Sequence, residues 1–339
     1  MGRSARRWRR VFIAAATLLG ALAGAAMGDE KVTLAVPGIP PIFASVLPHV
    51  AATQGIFRKY GVDVEVRDFE TGVIGARAVA AGQIDLSVSP TTALVGMISN
   101  AKVDLVAIYG ALNSDWSIGS TDPDRAKCTD LRDQPVGVDA IGGARWLALR
   151  EMIVPCGLSM DDVKPVALSS NVGAAMIAGQ LTFGVLHLID DVPPIEGQLH
   201  HKIAVITTLK QVNPVSHYLM LVARVDKVKE RRGAYVRTLA ALIDANNFMR
   251  DPHNADAVVK AAEITGHTDP EIRQALEAYN RLEMWASESD GLPRDKVEAV
   301  IAAEIKTGGI KPGVTPVTFD ALVDRSLWVD AEKLVASKR

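Results

Sequence analysis

The sequence predicts an α/β protein built from two similar lobes, because one short phrase occurs twice. Residues 78–84 read Ala-Val-Ala-Ala-Gly-Gln-Ile, and residues 175–181 read Ala-Met-Ile-Ala-Gly-Gln-Leu. In each copy an alanine-rich run meets Gly-Gln, and a β-rich run follows. This pattern is typical of a helix that ends at a glycine in the left-handed conformation and is followed by a buried strand. Two copies of one helix–turn–strand unit favour two α/β lobes with a ligand cleft between them.

The composition agrees with two domains. The chain has 339 residues, of which 48% are hydrophobic, and this is ample for two cores. The formal net charge is −2, and no basic stretch is interleaved with aromatic residues. The sequence therefore argues against nucleic acid as a partner.

The first residues belong to neither lobe. Arginines within residues 3–10 precede an apolar run over residues 11–22, and the small residues 23–26 follow. A basic head, a short apolar centre and an Ala-x-Ala end are typical of a secretory signal peptide. The apolar run is shorter than the roughly 20 residues that span a bilayer. We therefore expect residues 1–28 to be a signal peptide and the mature protein to be periplasmic.

In the first lobe, strand-like runs alternate with helical runs. The expected strands are 32–36, 62–66, 84–89 and 104–109, and the expected helices are 42–54, 71–81 and a third that starts at residue 90. This alternation predicts a mostly parallel sheet with helices on both faces. The polar segment 110–124 is the expected first crossing to the other lobe.

The second lobe repeats this order, and a helical region follows it. The expected strands are 136–138, 163–168, 181–189 and 203–206, and the expected helices are 144–154 and 171–179. Residues 216–222 are expected to return the chain to the first lobe. Lobe one is thus expected to comprise residues 29–115 and 223–339, and lobe two residues 116–222. From residue 226 onward the pattern is helical almost to the end, with breaks at three X-Pro pairs.

The chain has two cysteines, Cys128 and Cys156. In an oxidising compartment an even pair is expected to be bridged, and two unpaired buried thiols are the alternative. The histidines lack ligand-spaced partners, so we expect neither a metal site nor another cofactor.

Three segments resemble one family of exported proteins. Residues 54–64 (Gln-Gly-Ile-Phe-Arg-Lys-Tyr-Gly-Val-Asp-Val), 81–85 (Ala-Gly-Gln-Ile-Asp) and 157–163 (Gly-Leu-Ser-Met-Asp-Asp-Val) are similar to motifs of the periplasmic solute-binding proteins for nitrate, sulfonates, taurine and thiamine-pyrimidine precursors. The resemblance implies a type II periplasmic binding protein fold, in which a monomer delivers its solute to an ABC permease of the inner membrane. The second Gly-Gln copy continues with Leu181-Thr182-Phe183 where relatives usually repeat the aspartate, which leaves the ligand class open.

Ligands of open α/β sheets bind beyond the carboxyl ends of the strands. In lobe one this rule selects Gly38, Ile39, Thr71, Gly72, Ser89 and Thr91, and in lobe two it selects Gly142, Gly143, Arg145, Asn171 and Asp190. Asn113 and Trp116 are further candidates because they lie in the expected first crossing.

The candidates point to two ligand charges. Backbone N–H groups at Gly72, Thr91 and Gly142-Gly143 suit an anion, although these glycines could equally make tight turns. Arg145 either pairs with that anion or is a solvated surface arginine. Asp190 favours an amine, unless it only caps a helix. An organic anion and a zwitterion therefore both remain open.

We expect a binding protein for a sulfonate, taurine, a nitrate-like ion or an aromatic carboxylate, and not an enzyme. No Ser/His/Asp or Cys/His set has a suggestive sequence context. The alternative is an intracellular-type enzyme on the same fold, similar to the naphthoate synthases or the pyrimidine-precursor synthases.

Overall fold

The computed structural model describes residues 30–169 and 171–338. The expected signal peptide, residues 1–28, lies outside the described residues. Within these two ranges, no helix combines the length and the apolar character that crossing a lipid bilayer requires.

The strands and helices follow the expected order along the chain. The strands are β1 (Glu30–Pro37), β2 (Val62–Phe69), β3 (Leu86–Pro90), β4 (Leu105–Ala111), β5 (Trp116–Ser120), β6 (Pro135–Val138), β7 (Lys164–Ala167), β8 (Phe183–His187), β9 (Ala204–Thr208) and β10 (Leu219–Arg224). The helices are α1 (Val46–Thr53), α2 (Ile56–Lys59), α3 (Gly72–Ala80), α4 (Thr91–Ala101), α5 (Ala144–Ile153), α6 (Val172–Ile177), α7 (Val192–Leu199), α8 (Leu209–Val212), α9 (Val225–Glu230), α10 (Arg232–Arg250), α11 (Ala255–Ala262), α12 (Asp269–Arg281), α13 (Arg294–Lys306), α14 (Phe319–Leu322) and α15 (Ser326–Ala336).

The strands form two five-stranded mixed sheets, in the orders β2-β1-β3-β10-β4 and β7-β6-β8-β5-β9. In the first, β1 is parallel to β2 and β3, and β10 is antiparallel to β3 and β4. In the second, β6 is parallel to β7 and β8, and β5 is antiparallel to β8 and β9. The expectation of two mixed α/β sheets is confirmed. The parallel share is smaller than expected because β5 and β10 each enter directly from the other sheet and lie antiparallel to their neighbours.

The chain crosses between the sheets twice, after β4 and again between β9 and β10. We propose that these crossings are hinges that separate lobe one, residues 29–115 and 223–339, from lobe two, residues 116–222. β10 already belongs to the first sheet from Leu219 onward, so the second hinge ends a few residues before the expected boundary.

The Gly-Gln repeat forms the same turn in both lobes. Gly82 has a φ of +72° and Gly179 a φ of +69°. In each copy the N–H of the following glutamine donates to the carbonyl five residues earlier, at 2.9 Å. This is the hydrogen bond of a helix that closes on a left-handed glycine, as expected.

The aspartate that follows the first copy has a structural role. Asp85 accepts a hydrogen bond from the backbone N–H of Thr33 at 2.8 Å and pairs with Arg231. It lies just before β3, at the end of the strand opposite to the ligand-binding edge. The presence of Thr182 at the equivalent place therefore says nothing about the ligand class, contrary to our expectation.

Cys128 and Cys156 form a disulfide, as expected, with their Cα atoms 5.9 Å apart. The bridge joins the short 3-10 helix Cys128–Leu131, which precedes β6, to the 3-10 helix Val154–Cys156, which follows α5. It therefore fixes both ends of the first strand–helix unit of the second sheet.

Candidate functional site

A small cavity of about 30 Å³ lies where the carboxyl ends of strands from both sheets meet. It is lined by Pro37, Gly38, Ile42, Glu70, Thr71 and Pro90 from the first sheet, Asp139, Ala144, Arg145 and Ser169 from the second, and Trp116, Tyr218 and Leu219 near the crossings. This is the position that the strand-end rule selects. Of the residues predicted from the sequence, Gly38, Thr71, Trp116 and Arg145 line this cavity.

The glycine at the start of α3 serves packing. A Cβ on Gly72 would lie 2.7 Å from the carbonyl oxygen of Val88, so glycine allows α3 to lie directly against β3. Thr71 caps the helix, since its Oγ1 accepts a hydrogen bond from the N–H of Ile74 at 3.3 Å. Ser89 is fully buried, and its hydroxyl donates to the carbonyl of Gly72 at 2.9 Å.

Thr91 has no free backbone N–H, contrary to our prediction. Its N–H donates to the carbonyl of Tyr218 at 3.1 Å, and its hydroxyl lies 2.7 Å from Nδ1 of His217. Burial lowers the pKa of His217 to about 4, and its Nε2 lies 2.6 Å from the carbonyl oxygen of Gly291. The neutral ring therefore donates to Gly291 and accepts from Thr91, which leaves neither polar group of Thr91 for a ligand.

The start of α5 is occupied by a carboxylate of the chain itself, Asp139. Its Oδ1 accepts hydrogen bonds from the N–H groups of Ala140, Arg145 and Trp146, at 2.8, 3.1 and 3.4 Å. The N–H of Gly143 donates to the carbonyl of Ala140. The prediction that Gly142-Gly143 offers free donors to an anion is therefore wrong for Gly143, while Gly142, with a φ of +77°, makes a tight turn.

Sequence reasoning missed Asp139, although a signal was present. It directly follows the strand predicted at residues 136–138, and aspartate is among the residues preferred at helix starts.

Arg145 is a buried arginine, so the alternative of a solvated surface residue is wrong. Its side chain is 2% exposed, and Nη1 donates to Oδ2 of Asp191 at 2.7 Å and to the carbonyl of Val185 at 2.6 Å. Burial alone would raise the pKa of Asp191, but Arg145 and His187 hold it below its usual range. The guanidinium is thus already paired inside the protein.

A buried chain of polar groups fixes the walls of the cavity at the crossings. His187 donates from Nδ1 to Asp115 at 2.6 Å, and its Nε2 lies 3.2 Å from the hydroxyl of Tyr218. Burial would lower the pKa of His187, but Asp115 raises it above its usual value. The ring of Trp116 stacks on the imidazole with 3.7 Å between centroids. The polar chain joins side chains far apart in sequence, and Asp115 and Tyr218 were not predicted.

The other predicted residues lie away from this cavity. Ile39 is about half exposed, and the amide of Asn113 bonds to the carbonyl of Leu282 and to Lys296, each at 2.7 Å. Asn171 and Asp190 instead line a separate groove of about 550 Å³ at the mouth of the cleft. Whether any of these residues binds a ligand remains a prediction.

Asp190 joins the two halves of the protein. Its Oδ2 accepts a hydrogen bond from the N–H of Phe43 at 2.7 Å, and its Oδ1 lies 3.3 Å from Nε2 of His267. Elsewhere Arg150 of α5 pairs with Glu304 of α13. These contacts cross between the sheets, so the two halves are closed on each other.

Apolar side chains also meet across the cleft. Val73 of α3, Ala93 of α4 and Leu147 of α5 form one buried cluster, with Trp146 packed against it. With the halves in contact, the cavity has room for roughly two or three water molecules.

The chain is similar to known proteins over much of its length. Residues 45–255 match the model of the family described as NMT1/THI5 like. "Putative binding protein BAB2_1146" of Brucella abortus is 27% identical over 174 residues, which cover 51% of this chain and 53% of that protein. The match therefore spans about half the length of this curated relative.

Solved structures share the fold over most of the chain. A protein of Bordetella bronchiseptica RB50 has a TM-score of 0.77 at 19% identity, covering 91% of this chain and 99% of that one. The periplasmic aliphatic sulphonate binding protein SsuA from Escherichia coli has a TM-score of 0.63 at 15% identity, covering 88% and 99%. The periplasmic nitrate-binding protein NrtA from Synechocystis PCC 6803 has a TM-score of 0.67 at 13% identity, covering 91% and 89%. The chain therefore has the fold of the periplasmic binding proteins, and it belongs to the family described as NMT1/THI5 like.

Proposed function

We propose that the protein is a periplasmic solute-binding protein that closes on a small organic anion or zwitterion and delivers it to an ABC permease. One observation carries this proposal: a cavity lies at the carboxyl ends of strands from both sheets and is lined from both halves and both crossings. Binding proteins with this fold include those for aliphatic sulphonates and nitrate. The periplasmic location rests on the family and on the sequence of residues 1–28.

Ligand entry requires the halves to separate. A cavity of about 30 Å³ is far smaller than the roughly 300–1,000 Å³ of typical small-molecule sites. We infer that the crossings act as hinges and that the closed arrangement re-forms around the solute. Trp116 and Tyr218, held by the buried polar chain, then serve as fixed walls.

We propose a binding rather than a catalytic role. The hydroxyl of Thr71 caps α3, and the imidazole of His187 is held between Asp115 and Tyr218. Among the residues that the structure describes, no three His, Cys, Asp or Glu side chains are placed to hold a metal ion. Because the side chains of Thr71 and His187 are held by partners within the protein, they suit a rigid wall of a binding cavity better than a catalytic centre.

The test identifies the bound solute and then asks whether a variant with a filled cavity still binds it. Native mass spectrometry of protein purified from the periplasm should detect a bound compound, and that compound should raise the melting temperature of stripped protein. At 100 times its Kd a ligand stabilises by about 2.7 kcal/mol.

Ala144 lies in the first turn of α5 and lines the cavity, so Ala144→Leu should abolish the shift by filling the space. Ala257→Leu, at a half-buried alanine of α11, is the matched control and should retain the shift. Absence of any bound compound, together with no response to a broad metabolite library, would refute the proposal.

A further inference from the structure

The carboxylate at the start of α5 has one oxygen in use and one open. Oδ1 of Asp139 accepts three backbone N–H groups, whereas Oδ2 accepts no hydrogen bond from residues 30–169 or 171–338. Asp139 lines the cavity and is half-buried. A solute that fills the cavity would therefore meet an acceptor with unused capacity.

The same carboxylate disfavours an anion at this helix start. Helix starts bind anions through free N–H groups and the positive end of the dipole. Here Asp139 takes the N–H groups of Arg145 and Trp146, and its own charge would repel an incoming anion. The site that the fold offers to an anion is already filled.

The other charges around the cavity do not reverse this preference. The charged lining residues are Glu70, Asp139 and Arg145. Arg145 is paired with Asp191, whereas Glu70 and Asp139 form no salt bridge with any residue in the described part of the chain. Two carboxylates without a salt-bridge partner, the exposed Glu70 and the half-buried Asp139, thus line the cavity beside one guanidinium that is already paired.

Burial raises the pKa of Asp139 despite its three N–H donors and the nearby Arg145. Burial thus destabilises the ionised carboxylate by more than these groups stabilise it. A cation in the cavity would offset the remainder.

We propose that the solute presents a positively charged or N–H-donating nitrogen group to Asp139, and that Asp139 excludes simple anions from the cavity. This inference rests on the proposed binding function, and it replaces organic anions as the expected ligands by zwitterions, amines and amidine-like compounds. The aromatic walls Trp116 and Tyr218 suit the organic part of such a solute.

Pairs of probes that differ only at one group test the proposal by isothermal titration. Taurine is compared with isethionate, and benzamidine with benzoate, alongside any compound that native mass spectrometry finds bound to the purified protein. We expect the nitrogen-bearing member of a binding pair to bind the wild type more tightly. Asp139→Asn should weaken it about 10- to 100-fold, because a hydrogen bond to a charged group is lost. The same substitution should strengthen binding of the anion.

Two further variants separate the effect of the charge of Asp139 on binding from any effect on folding. Asp139→Ser removes the charge and keeps a side-chain hydroxyl, so it should reproduce the effect of Asp139→Asn. Asp133→Asn, at an exposed residue with a φ of +58°, is the matched control and should leave every affinity unchanged.

The outcomes distinguish the two proposals. A compound without any nitrogen donor that binds the wild type and is blocked by Ala144→Leu overturns the inference and leaves the binding function intact. Unchanged affinity of a nitrogen-bearing solute for both Asp139 variants also overturns it. Failure of the wild type to bind or carry any compound overturns the binding function itself, and the inference with it.

Discussion

Asp190 contacts two parts of the opposite half of the protein at the mouth of the cleft. Its carboxylate accepts the N–H of Phe43 at 2.7 Å and lies 3.3 Å from Nε2 of His267. Asp190 follows β8 of the second sheet, whereas Phe43 precedes α1 and His267 precedes α12, both on the side of the first sheet. Opening the cleft must break both contacts, so Asp190→Ala should shift the protein towards the open form.

The size of this shift follows from the two contacts. Asp190 is 7% exposed, and a hydrogen bond to a buried charged group contributes about 1.5–3 kcal/mol. His267 is partly exposed, so its ion pair adds no more than about 1 kcal/mol. The two contacts together amount to about 1.5–4 kcal/mol, which corresponds to a factor of about 10–1,000 between closed and open populations. Asp190→Asn keeps an acceptor for Phe43 and should cause roughly half the loss in free energy.

Small-angle X-ray scattering on ligand-free protein measures the change. The radius of gyration should increase in the order wild type, Asp190→Asn, Asp190→Ala, and apparent ligand affinity should fall with the closed population. Asp161→Ala, at an exposed aspartate of the second lobe, should match the wild type. If both Asp190 variants keep the wild-type radius and affinity, the carboxylate does not hold the cleft closed.

His267 makes the same closure depend on pH. Asp190 raises the pKa of His267 in the closed form, against the effect of burial, and Glu271 and Asp191 add to the increase. The contribution of His267 is therefore complete while its ring is protonated in both forms, and it is lost as the pH rises through the raised closed-form pKa. The radius of gyration should accordingly grow as the pH rises from mildly acidic to mildly alkaline values. His267→Gln should flatten this profile, and a profile that stays unchanged in His267→Gln would assign the pH effect to another group.

Two predictions concern stability. Replacing Cys128 and Cys156 by serine should lower the free energy of unfolding by about 3–4 kcal/mol, which is the chain-entropy value for a sequence separation of 28 residues. Urea denaturation measures this loss, and reduced wild-type protein should show the same loss. Asp191→Asn should cost about 3–5 kcal/mol because it leaves the buried charge of Arg145 unpaired, whereas the double variant Arg145→Met with Asp191→Leu should cost less. If the cysteine variant or Asp191→Asn keeps the urea midpoint of the wild type, the corresponding disulfide or ion pair does not stabilise the fold as expected.

The fold could be predicted from the sequence where local rules decide it. The left-handed glycines Gly82 and Gly179 close their helices by hydrogen bonds within six residues, so the repeat and the strands that follow could be recognised directly. The sheet order could not be predicted in the same way. β10 lies between β3 and β4 although more than 100 residues separate it from either, and only the three-dimensional packing determines that pairing.

Prediction of the site was limited for the same reason. The strand-end rule placed Gly38, Thr71 and Arg145 at the cavity, because it depends only on where strands end, and Trp116 was predicted from its place in the first crossing. The rule could not show which polar groups were already hydrogen-bonded or ion-paired within the protein. The partner of Arg145 is 46 residues away, and the partner of Thr91 is 126 residues away.

Backbone positions can be predicted from the sequence, whereas the pairing of polar side chains cannot. We therefore expect a shared fold to predict where the ligand lies better than which charge it carries. The fold brings strand ends and helix starts together, and free N–H groups there would select an anion. In this chain Asp139 occupies the helix start and Asp191 neutralises the buried guanidinium, so both cationic features of the second sheet serve the protein itself. We therefore expect a few side chains at fixed backbone positions to determine which solute the cleft accepts. Asp139, rather than the glycines beside it, is the residue in which the ligand preference should be sought.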